Sequence, residues 1–242
     1  MADLKFMTAG EYMAMEQRIF THEKIDLGYS DLIAETTSSG RKYAAPDGNR
    51  YPSVTTVLSI LSEESIQKWR HRVGAEEANK ISHRASTRGT AVHDVIEKYL
   101  ANDENAFEGR MPHIINNFNS VKSVLDSRIG KIYMQEAALY SEHLGLAGRV
   151  DCIAEFDGVI SIIDWKTSGK LKSKKWIENY FIQESAYAIM FEERTGIPIV
   201  NLVTVIVVDN EEPQVFVEHR DNWTDKLLET ISEYTRRKIF RN

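Results

Sequence analysis

The sequence predicts an α/β fold in which a mixed β-sheet is flanked by helices, with a helical elaboration on its N-terminal side. Three observations predict it. Residues 53–129 carry helical spacing and capping signals. At about residue 131 the period changes, and 131–142, 146–156 and 159–165 become rich in β-branched and aromatic residues. A second helical stretch then precedes the apolar run 199–208, and the order helices, three strands, helix, strand describes a mixed sheet with helices around it.

Each element has a local reason. Residues 40–52, GRKYAAPDGNRYP, read as two short strands around the Pro-Asp-Gly turn at 46–48. Ser53 caps a helix running to about residue 61, residues 64–82 have helical character, and Thr87 caps another helix to about residue 100. Residues 111–129 form a fourth helical candidate. The strands that follow are separated by His143-Leu144-Gly145 and by Asp157-Gly158, and Asp-Gly is a strong two-residue hairpin signal. A helix over 174–194 stops at Gly196, the run 199–208 is a buried strand, 214–219 is another strand, and 222–240 is the last helix.

The 242 residues suffice for one catalytic domain carrying an elaboration, and 42% apolar with 27% charged residues is a globular balance that excludes a disordered chain. The single cysteine, Cys152, excludes an internal disulfide and cannot supply the thiolates of an iron–sulfur cluster. The first twenty residues have no long apolar run, and Asp3, Glu11 and Glu16 do not suit an acid-poor transit peptide. A cytoplasmic, intracellular protein with no membrane partner is the expectation. The net charge of -6 argues against a polyanionic partner, yet the cations cluster. Lys68, Arg70, Arg72, Lys80, Arg84 and Arg88 lie in one segment, Lys170, Lys172, Lys174 and Lys175 in a second, and Arg236, Arg237, Lys238 and Arg241 in a third. Solvated helix faces would explain each cluster taken alone.

The chemistry lies in 148–168, GRVDCIAEFDGVISIIDWKTS. Asp151 stands six positions before Asp157, and Asp164 six after Gly158, so a two-residue turn makes them near cross-strand partners. Opposed β-carbons are only about 4.5–5.5 Å apart, and two carboxylates so placed repel unless a cation lies between them. Lys166 leaves the same face as Asp164, roughly 6.5 Å further along the strand, where an ammonium can orient a water or stabilise charge growing on a phosphoryl group. Oxygen ligation selects Mg²⁺ or Mn²⁺. A surface Asp/Lys pair is the alternative, and it fits poorly after the apolar Ile160, Ile162 and Ile163.

The block G-R-V-D…I-I-D-W-K-T resembles the PD-(D/E)XK nuclease superfamily, specifically its RecB-like exonuclease branch. RGTAVH at 88–93 resembles the branch's G-T-x-x-H helix, and Glu136 occupies the place of a glutamate on the first core strand. Gln183 and Tyr187 match the Q-x-x-x-Y motif, and YPSVTTVL at 51–58 resembles the lead-in segment of mitochondrial genome maintenance exonucleases and their phage relatives. The resemblance spans roughly 40–208. It implies a restriction-endonuclease-like core at 87–242 behind an N-terminal hairpin and helical elaboration at 1–86. It further implies a metal held by Asp151, Asp164 and the Trp165 carbonyl, completed or seconded by His93. Lys166 would assist the attacking water, and Glu136, Gln183 and Tyr187 would support the site. His93 and Glu97 are one helical turn apart; His93 is read as a ligand and Glu97 as structural.

The implied reaction is hydrolysis of DNA phosphodiesters, with single-stranded DNA bearing a free end as substrate, because the family's helical elaboration commonly forms a passage too narrow for duplex. Arg84 and Arg88 beside His93, with Lys170, Lys172, Lys174 and Lys175, are the expected DNA contacts. A structure-selective or duplex endonuclease with the same site is one alternative, and an inactive nucleic-acid-binding accessory is another. No G-x-x-x-x-G-K-[ST] is present, so a helicase or replication partner would act in trans.

Overall fold

The computed structural model describes residues 18–241. The expectation drawn from Asp3, Glu11 and Glu16 lies outside them. A small antiparallel sheet comes first, with β1 (Ile33–Thr37), β2 (Gly40–Ala44) and β3 (Arg50–Pro52) in that order. The hairpin around Asp47 forms as read, with Tyr43 opposite Tyr51. β1 was not foreseen, because IAETT is exposed throughout and carries no alternation.

Ser53 caps α1 (Val54–Leu58), its hydroxyl accepting the Thr56 N–H, and a 3₁₀ turn covers Ser59–Leu61. The next helices correct the sequence reading. α2 (Glu63–Val73) ends at Gly74, whose φ of 87° closes it, and α3 runs unbroken over Ala75–Leu100. Thr87 therefore starts no helix, and a boundary at 86/87 falls inside α3. No proline interrupts this stretch, and a capping residue type starts a helix only where the backbone before it has left helical geometry.

α4 (Pro112–Arg128), with proline in its first turn, leads into the main sheet. That sheet holds β4 (Ile129–Ser141), β5 (Leu146–Phe156), β6 (Val159–Ser168), β7 (Asn201–Val208) and β8 (Gln214–His219), in this order. β4, β5 and β6 pair antiparallel; β6 and β7 pair parallel; β7 and β8 pair antiparallel. The parallel pair needs a crossover, which α5 (Glu178–Thr195) supplies before closing on left-handed Gly196. α6 (Asp221–Arg241) ends the described chain.

Both sheet faces are covered. α3 and α4 pack Val92, Val95, Ile96 and Phe118 against Cys152, Ile163 and Trp165, and α5 packs Ile182, Ala186 and Met190 against Ile153, Ile162 and Leu202. This two-sided burial explains why β7 reads as an almost continuous apolar run. Tyr43 and Leu32 join Ala138, Tyr140 and Ala147 in a smaller core that fixes the first sheet to the second. Ahead of it the extended chain runs along β4, with backbone hydrogen bonds from Glu23 to Ile132 and from Ile132 to Thr21, both 2.8 Å. Among the described residues no helix is long and apolar enough to cross a membrane.

Candidate active site

The hairpin between β5 and β6 sets the site. Asp157 and Gly158 both adopt positive φ, 51° and 79°, the two-residue turn whose twist matches a hairpin, and Phe156 pairs with Val159 across it. The ladder then runs to Cys152 opposite Ile163, and one step further in the same register Asp151 falls opposite Asp164. On the other side of β5, Gln135 faces Cys152 and Ala137 faces Val150, so Glu136 falls opposite Asp151. Three acidic residues thus lie side by side on three neighbouring strands.

Two helical layers meet this row where the β5–β6 ladder stops. From α3, His93 Nδ1 lies 3.5 Å from Asp151 Oδ2, and from α5, Gln183 Nε2 donates to Asp164 Oδ1 at 3.0 Å. Asp151 Oδ2 also accepts the Trp165 N–H at 2.9 Å, so the carboxylate takes over a backbone donor at the ladder's end. Donor atoms of His93, Glu136 and Asp151 lie within 4.8 Å of one another, the spacing of a metal site. Asp164 is not in that group: it is almost fully buried, and its carboxylate engages Lys166 and Gln183.

Charge confirms the strain in this arrangement. Burial, then Asp151 and Glu97, pushes Glu136 from 4.5 up to about 7. Its backbone also sits at φ 46°, a left-handed conformation that costs a non-glycine residue on the order of 1–3 kcal/mol. Arg149 donates to the Glu136 carbonyl and pairs with Asp31, which holds the turn of chain in place. Burial raises Asp164 against the opposing pull of Lys166. Burial works against the Lys166 ammonium too, but Asp164 and Asp151 outweigh it and hold the lysine charged.

The G-R-V-D and Q-x-x-x-Y motifs are two halves of one contact. A Cβ on Gly148 would lie 2.7 Å from the Tyr187 ring, so glycine is what lets buried Tyr187 pack on β5. Gln183, one turn before Tyr187, then reaches Asp164. Tyr180 lies on the same helix face and its ring sits 5.0 Å from Lys166 Nζ, a cation–π contact. The spacing 180, 183, 187 could have revealed it. The helix expected over 174–194 starts only at Glu178, and Trp176 is 74% exposed on a 3₁₀ turn, Lys174–Trp176, ahead of it.

The expected DNA contacts divide. Arg88 forms an ion pair with Asp209, and Lys174 one with Glu218. Arg84, Lys170 and Lys175 are exposed and Lys172 half-exposed, and none has an ion-pair partner among the described residues. Lys68, Lys80, Arg236 and Arg237 are matched by nearby glutamates along their helices, which is the solvated-face arrangement. Beside the acidic row, a groove of about 800 Å³ runs between residues 22–31 and 132–138, with Glu136 and Arg149 in its wall.

Comparison with known proteins agrees with this geometry. A model of the PD-(D/E)XK nuclease superfamily matches residues 67–241. Mitochondrial genome maintenance exonuclease 1 of Mus musculus is 30% identical over 132 residues, covering 51% of this chain and 39% of that protein. The Homo sapiens protein of the same name is 27% identical over 214 residues, 80% of this chain and 61% of that one. The Xenopus tropicalis protein is 26% identical over 233 residues, 89% and 65% respectively. The chain thus spans less than two thirds of the length of each of these relatives.

Proposed function

Because the chain belongs to the PD-(D/E)XK nuclease superfamily, we propose that it is a metal-dependent exonuclease that hydrolyses DNA phosphodiesters, acting on single strands with a free end. The observation that carries the reading is the row Glu136, Asp151, Asp164 with His93 and Lys166 against it. The donor set fits a divalent cation: three ligand atoms within 4.8 Å, two of them carboxylate oxygens, suit Mn²⁺ or Mg²⁺. His93, Glu136 and Asp151 would hold it, with Asp164 and the Trp165 carbonyl completing the set from β6. When bound, the ion would supply Lewis-acid polarisation of the phosphate and a lowered pKa for water.

The protein's own groups do the rest. Asp164 fixes the Lys166 ammonium beside the acidic row, where it can orient water and balance charge that grows on the phosphoryl oxygens. Gln183 holds the Asp164 carboxylate in that pose, and Tyr187 anchors Gln183's helix on Gly148. Single-strand preference is supported by the likeness to the RecB-like branch and by the groove that borders Glu136. Lys170, Lys172 and Lys175, with Arg84, would contact phosphates; Arg88 and Lys174 would do so only on leaving their carboxylate partners. An intracellular setting with a helicase or replication partner in trans completes the reading.

A time course on end-labelled linear and circular single strands tests it. Linear DNA is expected to shorten from an end, circles to persist, and excess chelator to stop the reaction. Undiminished hydrolysis in chelator would sink the metal assignment, and opened circles would favour the endonuclease alternative.

A further inference from the structure

The loop between β6 and α5, residues 169–177, leaves Trp176 74% and Leu171 53% exposed. An isolated exposed apolar residue is ordinary. This one is framed. Ser168 Oγ donates to the Lys170 carbonyl at 2.6 Å and accepts its N–H at 3.2 Å. Gln214, at the start of β8, clamps the next turn from both ends of its amide: Oε1 accepts the Lys172 N–H at 2.7 Å and Nε2 donates to the Lys172 carbonyl at 3.0 Å. The Trp176 N–H closes the 3₁₀ turn on Ser173 at 2.9 Å, and Ile177 behind it is buried. The indole is therefore held out on a pinned backbone.

The surroundings select its occupant. Lys170, Lys172 and Lys175 have no carboxylate partner among the described residues, whereas Lys174 is matched by Glu218. β6 ends at Ser168, two residues after Lys166, whose ammonium pairs with Asp164, so the lysines and the indole follow the site directly along the chain. An exposed indole on a loop that also carries three ammonium groups without carboxylate partners matches a single-stranded nucleic acid, whose bases are unstacked and whose phosphates are negative. A duplex hides its base faces and offers the indole nothing to stack on.

We propose that Trp176 is a base-stacking platform for single-stranded nucleic acid, held in place by the Gln214 clamp. The proposal rests on the nuclease reading above. Stacking of one base on an aromatic ring corresponds to roughly 5- to 150-fold in affinity. The test is binding of the full chain to a labelled single-stranded 12-mer, in chelator to prevent turnover, against the same 12-mer with its bases replaced by abasic sites. Wild type, Trp176→Ala and Trp176→Phe are compared at several salt concentrations. Trp176→Ala is expected to weaken binding of the intact oligomer by that factor and Trp176→Phe to retain most of it. The abasic oligomer should bind wild type and Trp176→Ala alike, and the salt slope should not change.

Gln214→Ala, which frees the loop but keeps the indole, is expected to give a smaller loss confined to the intact oligomer. Equal affinity of wild type and Trp176→Ala for the intact oligomer overturns the proposal, as does an equal loss for both oligomers. If the wild type cleaves and binds single strands in those cases, only the stacking role falls. If it neither binds nor cleaves them, the nuclease reading falls with it.

Discussion

Replacing Glu136 with glutamine should stabilise the metal-free protein while weakening its hold on a divalent cation. In the fold, burial beside Asp151 and Glu97 raises this carboxyl from 4.5 to about 7. The native state therefore keeps a proton that the unfolded chain has already lost. Stability contributed by this group is full below about pH 4.5 and declines until about pH 7, with no further change above it. At about 1.4 kcal/mol per pH unit the interval is worth ~3 kcal/mol. Glu136 is only half-buried, and screening by water reduces this to ~1–2 kcal/mol. For a chain of this size that is roughly 3–6 °C in melting temperature. The assay is thermal unfolding of wild type and Glu136→Gln at pH 8, in chelator and in excess Mn²⁺. The variant is expected to melt higher in chelator and to gain less from the ion, since one anionic ligand has become a neutral amide. A variant that melts lower in chelator, or gains as much from Mn²⁺ as wild type, would refute the account of the acidic row.

Further outcomes follow from the same contacts. Lys166→Ala should slow single-turnover cleavage about 100- to 1000-fold while DNA affinity changes little; an affinity collapse with unchanged cleavage would make the lysine a phosphate anchor. Asp164→Asn is expected to abolish cleavage by releasing Lys166, and a retained rate under saturating substrate would count against that coupling. Gly148→Ala should lower stability by about 1–3 kcal/mol, because the added methyl meets the Tyr187 ring. An unchanged denaturant midpoint would contradict this packing. Lys170→Ala with Lys172→Ala should flatten the dependence of log K on log salt by roughly 1.4 for a single strand. The pair Arg236 and Arg237, already engaged with Glu233, serves as the control expected to leave the slope unchanged.

The part of this protein legible from sequence is the part fixed by short-range rules. Period-two patterning and the Asp157-Gly158 turn set the β5–β6 register, and that register alone brings Asp151 opposite Asp164. The Gly196 stop and the Ser53 cap are likewise local, and both form. Thr87 shows the limit of local signals, since a capping residue type was overridden by a helix that continued through it.

Only the tertiary structure decided which charges are free and which side chains share the site. Arg88 meets Asp209 from 121 positions away, and no pattern near either residue announces the pair. Glu136 joins Asp151 because β4 adopts the register that it does beside β5, and His93 arrives because α3 packs Val92, Val95 and Ile96 on the sheet. Asp164 also engages Lys166 and Gln183, and the contact with Gln183 exists only because α5 packs across β6. Trp176 stands in solvent because α5 begins only at Glu178, after the 3₁₀ turn that carries the indole. Turns and periodicity act over a few residues and can be read along the chain, whereas ion pairing and exposure depend on which distant segments the packed core brings together.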